Sequence, residues 1–419
     1  MKVLFSYPGN ADFTQHAALA LLEKERLVCF HTSFRYLPDG VLGRLFESSG
    51  SKSLHRVHRA MRRRQLGIVP ERMTHTRPLL EILRSAALVA RMDARIVDAC
   101  WDWMSRDFTR ASARLLARHG ADAVYAYEYT ALESFSRAGE LGAKRILDLP
   151  SLSSRETEAL LAEEARRFPW TASPEASYFE KRRLPRQARR DREIAMADLI
   201  VCNSTVTRAS HVADGADPAR TIVVPYGAPP CAVEVGERDS RGPLRLLWAG
   251  SFSARKGAHY LVEAWRRLPA SVRSHCVIDV FGAMSLPTGG LPALGDGFRF
   301  HGSIPRDRLF GEMARSDMLM FPTLSDGFGM VVTEAFARGL PVLTTTRAGA
   351  ADLVSDRQNG LLVPAGDAGA LVDAIGWCLD NREALKLMRY EALATAAGRQ
   401  WSDYRAELAD KLLAALETA

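Results

Sequence analysis

A glycine-rich turn between a buried strand and a helix is the feature that most constrains this chain. Residues 318–321 (Met-Leu-Met-Phe) form an apolar run typical of a buried strand, and a turn at 325–329 follows it. Residues 330–338 predict a helix that stops at the signals Gly339 and Pro341. A further apolar strand begins just after this proline. The order strand, turn, helix, strand indicates an α/β sheet, in which ligands bind beyond the carboxyl ends of the strands.

The turn has the chemistry of a phosphate site with an acid on either side. Gly327 and Gly329 let backbone amides approach a ligand closely, and a helix start directs unpaired N–H groups toward it. Asp326 and Glu334 suit sugar hydroxyls rather than phosphate. The alternative is a tight turn with a solvated Asp and Glu. The functional interpretation is favoured because Glu334 lies in an apolar helical segment, where an unpaired carboxylate is costly.

A second loop places two cations at the end of another predicted strand. Residues 250–257 (Gly-Ser-Phe-Ser-Ala-Arg-Lys-Gly) lie between a strand and a helix, so Arg255 and Lys256 can reach the same diphosphate as the glycine-rich turn. An exposed, solvated Arg-Lys pair is the alternative. No GxxxxGK[ST] motif is present, and Pro8-Gly9-Asn10 does not supply a GxGxxG motif after the first strand. We therefore exclude a Walker A site and a nicotinamide or flavin site.

The length and the order of predicted elements indicate two domains. A chain of 419 residues is too long for one ordinary core. Residues 1–227 predict an amino-terminal α/β domain, and residues 244–395 restart the same pattern. Between them, residues 228–243 are rich in proline and glycine and predict a linker. The tail, 396–419, predicts a helix.

The apolar runs, the cysteines and the charge pattern limit which compartment and which partners the sequence predicts. No apolar run approaches the roughly 20 residues of a membrane span, and the first residues predict a strand rather than a secretory signal. The six cysteines form no CxxC pair, so neither zinc nor a disulfide framework is indicated, and we expect a cytoplasmic protein. Basic runs at 52–72 and 181–192 fit an anionic membrane surface, a phosphorylated acceptor or a solvated helix face. Few aromatic residues accompany the charges, so nucleic acid is not expected.

Together these residues resemble glycosyltransferase family 4, the retaining nucleotide-sugar transferases of the GT-B fold. The likeness is strongest over residues 190–366, and it includes Asn203-Ser204, Val-Pro-Tyr-Gly at 224–227 and Leu-Leu-Val-Pro at 361–364. Its most specific mark is an acid followed eight positions later by Glu around the glycine-rich turn, combined with the Arg-Lys loop. The resemblance implies two Rossmann-like domains with a donor cleft between them. We expect the final helix to pack back on the amino-terminal domain.

The resemblance also implies roles for individual residues. Arg255 and Lys256 would hold the donor diphosphate, Glu334 the ribose hydroxyls, and Asp326 the transferred sugar. Backbone at 302–304 would meet the base. The implied donor-binding residues are Gly9, Ser251, Arg255, Lys256, Gly302, Ser303, Ile304, Asp326, Gly327, Phe328, Gly329, Met330, Val331 and Glu334, and the implied catalytic residues are Asp326, Arg255 and Lys256.

The chain departs from the family pattern at three places. Asp326 stands where the family usually has Glu, and the second glycine expected after Gly9 is missing. The His that family members often carry after an amino-terminal strand is absent from 148–151 (Asp-Leu-Pro-Ser), and Glu128 and His16 are the candidate substitutes. A helix-surface or packing role is the alternative for His16.

The implied reaction is retaining transfer of a glycosyl group from a nucleoside diphosphate sugar to an acceptor hydroxyl. The sequence contains no DxD pair of carboxylates, so we expect neither a metal nor a cofactor. A glycan or a lipid-linked sugar of bacterial surface polysaccharide or glycolipid assembly is the expected acceptor, met at the inner face of the plasma membrane. A catalytically inactive nucleotide-sugar sensor or partner subunit is the alternative from another functional class.

Overall fold

The computed structural model describes residues 1–36, 40–50, 69–90, 92–172, 175–233 and 242–417. Most of the first basic run, residues 52–68, and residues 234–241 of the predicted linker lie outside this part of the chain. The described chain forms two parallel β-sheets with helices packed against them. The predicted class, two doubly wound α/β units, is confirmed.

The first sheet has seven strands in the order β3-β2-β1-β4-β5-β6-β7. Its central strands are buried and largely apolar, because helices cover both faces of a parallel sheet. The short edge strand β3 was not predicted from the sequence. The strands are β1 (Val3–Ser6), β2 (Leu27–Thr32), β3 (Thr74–Thr76), β4 (Ala123–Tyr127), β5 (Lys144–Leu149), β6 (Leu199–Cys202) and β7 (Thr221–Val223).

The second sheet has six strands in the order β10-β9-β8-β11-β12-β13. Its strand order reverses between β8 and β11, so the two loops that follow these strands lie side by side. Such a reversal is where ligands bind in doubly wound sheets. The strands are β8 (Leu244–Ala249), β9 (Cys276–Phe281), β10 (Phe298–Gly302), β11 (Met318–Phe321), β12 (Val342–Thr345) and β13 (Gly360–Val363).

The helices end where the sequence supplies caps. Asp93 accepts a hydrogen bond from the backbone N–H of Arg95 at the start of the longest helix, and Gly120 ends that helix in the left-handed conformation, φ 54°. The helices of the described residues are α1 (Asp12–Glu23), α2 (Val41–Ser48), α3 (Pro78–Val89), α4 (Ala94–His119), α5 (Leu132–Leu141), α6 (Ser154–Arg167), α7 (Ala176–Met196), α8 (Thr205–Ala213), α9 (Ala258–Arg267), α10 (Ala270–Arg273), α11 (Arg306–Ala314), α12 (Met330–Phe336), α13 (Ala368–Asp380), α14 (Arg382–Ala397) and α15 (Trp401–Glu417).

The last helix, α15, packs against α1, as expected. The Nε atom of Arg405 lies 2.9 Å from an oxygen of Glu23, and the Nζ atom of Lys24 lies 3.1 Å from an oxygen of Asp410. The chain therefore crosses between the two sheets twice. The two crossings touch, because the backbone N–H of Ala228 donates to the carbonyl of Arg399 over 2.7 Å.

The two sheets lie within residues 3–223 and 244–363, while the domain boundaries at 227, 243 and 395 stay a prediction. Contacts also join the two halves away from the crossings. The buried carboxylate of Glu164 on α6 lies 2.8 Å from the Nε2 atom of His259 on α9 and accepts a bond of 3.1 Å from the hydroxyl of Tyr260. Among the described helices, none is both long and apolar enough to cross a membrane.

Burial of Asp148 at the end of β5 makes the stability of the fold depend on pH. Burial raises the pKa of this carboxyl to about 7, although the hydroxyl of Tyr125 donates to it over 2.5 Å and opposes the shift. A folded-state pKa above the unfolded value means that the folded protein binds more protons between about pH 4 and about pH 7. The contribution of Asp148 to stability is therefore full below this window and falls as the pH rises through it.

We expect Asp148→Asn to stabilise the fold more at about pH 8 than at about pH 5, because an amide cannot ionise. The melting temperature of the variant minus that of the wild type, measured at both pH values, gives the effect. Asp380→Asn, which removes an exposed carboxylate at the end of α13, is the control. A difference that does not change with pH would contradict the role assigned to Asp148.

Candidate active site

The glycine-rich turn follows β11 at the carboxyl edge of the second sheet. Gly329 has φ 85°, and a Cβ atom there would lie 2.6 Å from the ring of Phe321, so a side chain is disfavoured twice. Phe328 is buried, and its ring lies 5.0 Å from that of Tyr226. The following helix spans only Met330–Phe336 and is thus shorter than the predicted 330–338. Met330 and Val331 are partly buried against the core.

The Arg-Lys loop after β8 converges on this turn, as the sequence predicted. Atoms Nη1 of Arg255 and Nζ of Lys256 lie 3.7 and 3.5 Å from the Oδ2 atom of Asp326. Arg255 also donates to the carbonyl of Ser325 over 2.6 Å. The loop packs closely against the residue that follows β11: a Cβ atom at Gly257 would lie 1.9 Å from the carbonyl oxygen of Pro322. Two cations and one carboxylate therefore share the switch point of the second sheet.

Glu334 is partly buried beside an arginine that was not predicted from the sequence. The Nη2 atom of Arg306 lies 2.7 Å from the Oε1 atom of Glu334, and its Nη1 atom lies 2.5 Å from the Oδ2 atom of Asp12. Burial raises the pKa of the Glu334 carboxyl, and Arg306 opposes that shift. Because Asp12 belongs to α1, Arg306 bridges the two halves of the molecule at the site. Its position two residues after Ile304 was the only sequence signal for it.

Segments of the first sheet pack directly on the glycine-rich turn. The carbonyl of Gly327 accepts hydrogen bonds from the hydroxyls of Ser204, over 2.7 Å, and Thr207, over 3.0 Å. A Cβ atom on Gly327 would lie 2.0 Å from the backbone oxygen of Pro150. The hydroxyls of Thr157 and Ser325 lie 3.0 Å apart. The loops after β5 and β6 thus meet the turn across the cleft.

The remaining predicted donor residues lie on loops around the same edge. The hydroxyl of Ser251 lies 2.7 Å from that of Ser285. Gly302 ends β10 with φ 69°, and Ser303 follows it. Gly9, after β1, lines a cavity of about 270 Å³ together with Asn10, Phe34, Glu81, Arg84 and Trp101, among others. The structure thus places a cavity at Gly9, and the donor contacts of all these residues stay a prediction.

The two candidate substitutes for the missing His differ in their surroundings. The ring of His16 stacks on Trp401 with 4.3 Å between the ring centroids, and burial lowers its pKa to about 4. His16 therefore takes part in the packing between α1 and α15, and its role in catalysis stays a prediction. Glu128, after β4, lies 3.3 Å from the Nε atom of Arg190, and its catalytic role stays a prediction.

One grouping of metal-ligand types was not indicated by sequence spacing. Ligand atoms of Cys29, His75 and His119 all lie within 4.8 Å of one another. They lie near the β3 edge of the first sheet, opposite the β7 edge. The adjoining cavity, of about 220 Å³, is also lined by Arg77, Arg114 and Arg118, whose positive charge disfavours a cation. These residues take no part in the site at the second sheet.

The close approach at Gly327 predicts a large effect of a single methyl group. Gly327→Ala would force the turn away from Pro150 and should cost about 3 kcal/mol of folding stability. The matched control is Gly376→Ala within α13, where a Cβ atom meets nothing within 4 Å and alanine favours the helix. Denaturant unfolding of both variants tests this expectation, and a Gly327→Ala variant as stable as Gly376→Ala would contradict it.

Comparison with known proteins agrees with this geometry. Residues 243–381 match the family model described as glycosyl transferases group 1. D-inositol 3-phosphate glycosyltransferase of Nocardia farcinica is 32% identical over 250 residues, which cover 53% of this chain and 54% of the relative. Lipopolysaccharide glucosyltransferase WaaG of Escherichia coli is 33% identical over 120 residues, covering 28% of this chain and 32% of the relative. The chain spans about half the length of the first of these relatives and less of the second.

Solved structures show the fold over the whole chain. HepE of Anabaena in complex with UDP has a TM-score of 0.62 at 15% identity, and the match covers 99% of this chain and 100% of HepE. The lipopolysaccharide glycosyltransferase WaaG has a TM-score of 0.58 at 16% identity, covering 97% of this chain and 98% of WaaG. The GT-B class is thereby confirmed, and the resemblance drawn from the sequence holds: the chain is a GT-B protein similar to glycosyltransferase family 4.

Proposed function

We propose that this protein is a retaining glycosyltransferase that moves a sugar from a nucleoside diphosphate sugar to an acceptor hydroxyl. The observation that carries the proposal is the convergence of Arg255, Lys256 and Asp326 at the switch point of the second sheet, with Glu334 on the helix that follows. The complexes of HepE with UDP and with UDP-glucose support the choice of a nucleoside diphosphate sugar as donor.

The diphosphate is assigned to Arg255 and Lys256. Their distances of 3.7 and 3.5 Å to Asp326 exceed the roughly 2.7–2.9 Å typical of charge-assisted hydrogen bonds, so both cations can bind an incoming phosphate more closely. The guanidinium suits a two-pronged contact, and the ammonium acts as a point charge. When the bond between sugar and diphosphate breaks, negative charge grows on the departing oxygen, and these two groups stabilise it.

The two carboxylates are assigned to hydroxyl groups. Arg306 binds the Oε1 atom of Glu334, so we assign the Oε2 atom to the ribose hydroxyls. Asp326 would contact the transferred sugar. It is shorter by one methylene than the Glu usual in the family, so the sugar has to lie closer to the turn.

Retention follows if the acceptor attacks from the face that the diphosphate leaves. In that route an oxygen of the departing diphosphate takes the proton of the acceptor hydroxyl, while the new glycosidic bond forms on the same side of the sugar. The protein then needs to supply positioning and charge stabilisation rather than a separate base. The resemblance to family 4 supports this route, and no step in it requires a metal or a cofactor.

The acceptor is assigned to a glycan or lipid-linked sugar of bacterial surface polysaccharide or glycolipid assembly, reached in the cytoplasm at the inner membrane face. The basic runs at 52–72 and 181–192 support an anionic surface as a partner, and the similarity to WaaG supports this class of acceptor. The first run lies mainly outside the described residues, whereas the second lies on α7.

Removing the Glu334 carboxylate tests the donor assignment. We expect Glu334→Ala to weaken nucleoside diphosphate binding by about tenfold to a hundredfold, because a hydrogen bond to a charged group contributes about 1.5–3 kcal/mol. A thermal-shift panel of nucleoside diphosphates and nucleotide sugars finds the ligand, since a bound ligand raises the melting temperature. Glu383→Ala, at an exposed carboxylate on α14, is the control.

Turnover of the donor found in this way separates the two functional classes. A glycosyltransferase transfers or hydrolyses the sugar with a chelator present, and Glu334→Ala loses that activity. Binding without transfer or hydrolysis in the wild type would identify a nucleotide-sugar sensor. Activity that a chelator abolishes and manganese restores would contradict the metal-free route.

A further inference from the structure

A further cavity, of about 560 Å³, lies in the amino-terminal half between α4, the start of α5 and α7. We call it the α4–α7 groove. Seven of its lining side chains are arginine or lysine, and two, Asp102 and Glu133, are acidic. The donor residues assigned above lie on the second sheet or on the loop after β1, so the groove is a different place in the fold.

Three of the seven cations are neutralised and fixed. Arg182 and Arg186 both pair with the carboxylate of Asp102, and Arg186 also lies 2.8 Å from Asp98. The Nη2 atom of Arg189 lies 2.7 Å from Glu133. In addition, the Nε atom of Arg186 is buried and has no acceptor among the described residues. These pairs account for both acids that line the groove.

Four further cations remain without a carboxylate. Arg106, Arg110, Lys181 and Arg192 are exposed, and within the described part of the chain none of them forms an ion pair. Arg106 and Arg110 are four residues apart on α4, and Lys181 and Arg192 are separated by three helical turns on α7, so each pair lies on one helix face. Like charges around one cavity repel one another, and an anion in the groove relieves that repulsion.

Hydrogen bonds fix the turn at Tyr129, which forms the floor of the groove. Tyr129 has φ 70°, unusual for a residue other than glycine, and its hydroxyl donates to Asp102 over 2.6 Å. The buried carboxylate of Glu193 accepts hydrogen bonds from the backbone N–H groups of Tyr129, over 2.5 Å, and of Ala131 and Leu132, over 3.0 Å each. Arg189 lies 5.5 Å from the centre of the Tyr129 ring. The turn at Tyr129, which lies between the two helices that carry the cations, is therefore fixed before any ligand arrives.

We propose that the α4–α7 groove binds the phosphate group of a second ligand, a phosphomonoester or diphosphate carried by a small sugar or by a lipid headgroup. Guanidinium groups match phosphate oxygens in pairs, so Arg106 and Arg110, one turn apart on α4, can bind one such group together, while Lys181 and Arg192 add positive charge along the facing helix. The volume suits a headgroup rather than a polymer. This site does not depend on the proposed transfer reaction.

Calorimetric titration with inorganic pyrophosphate tests the groove separately from the donor cleft. We expect Arg106→Gln/Arg110→Gln to weaken groove binding by about tenfold or more, because both cations contact the anion and neither holds the fold together. Arg255→Gln/Lys256→Gln should leave groove binding unchanged and remove only binding in the donor cleft. Arg266→Gln/Arg299→Gln, at exposed arginines on α9 and β10, removes the same number of charges and is the control for total charge.

Two ligand arms identify the source of the phosphate. Glucose 6-phosphate in solution represents the soluble source, and vesicles of phosphatidylcholine with phosphatidic acid represent the lipid source, with pure phosphatidylcholine as the blank. Whichever arm binds the wild type, Arg106→Gln/Arg110→Gln should lose that binding.

Equal binding of pyrophosphate by the wild type and Arg106→Gln/Arg110→Gln would overturn the proposal. Equal losses in that variant and in Arg266→Gln/Arg299→Gln would also overturn it, because the attraction would then be a property of net charge. Pyrophosphate bound by the groove but not by the donor cleft would contradict the proposed function and leave the groove standing.

Discussion

The close approach of Gly327 to the loop after β5 is the constraint on which the site depends. A hydrogen in place of a side chain lets the turn touch Pro150, and the carbonyl of Gly327 then reaches the hydroxyls of Ser204 and Thr207. Those two hydroxyls lie at the start of α8. The peptide group of Gly327, in the turn after β11, is therefore held by the loops that follow β5 and β6 of the first sheet. The same turn carries Asp326, and its position between the two halves follows from this packing.

Ion pairs fix the positions of the charged groups in the cleft. Asp326 is shared by Arg255 and Lys256, whereas Glu334 is held by Arg306, which also binds Asp12 of the first helix. A partly buried carboxylate without a cation would be costly, and Arg306 offsets part of that cost for Glu334. Because the bridge from Asp12 to Glu334 runs across the cleft, an opening of the cleft would also change the charge around Glu334.

Features encoded in short stretches were predicted from the sequence, whereas several contacts between distant residues were not. The strand, turn and helix order around 318–336 and the Arg-Lys pair after β8 are encoded in short stretches, and the structure brings them together. Arg306 was missed because its partner Asp12 is 294 positions away, and a spacing of that kind leaves no pattern. The stacking of His16 on Trp401 of the last helix was likewise not predicted, because the two residues are far apart in the sequence. The edge strand β3 was missed since three residues carry no periodicity.

The paired crossings between the two sheets have a mechanical consequence. The backbone bond from Ala228 to Arg399 ties the outgoing segment to the returning one, so both pass through nearly the same point. Two segments joined at one point restrain sliding and twisting between the halves, whereas a rotation about that point has to break the contacts across the cleft, such as those of His259 with Glu164 and of Arg306 with Asp12. In such a rotation, the loops on the two rims of the cleft would separate and meet again in the same register.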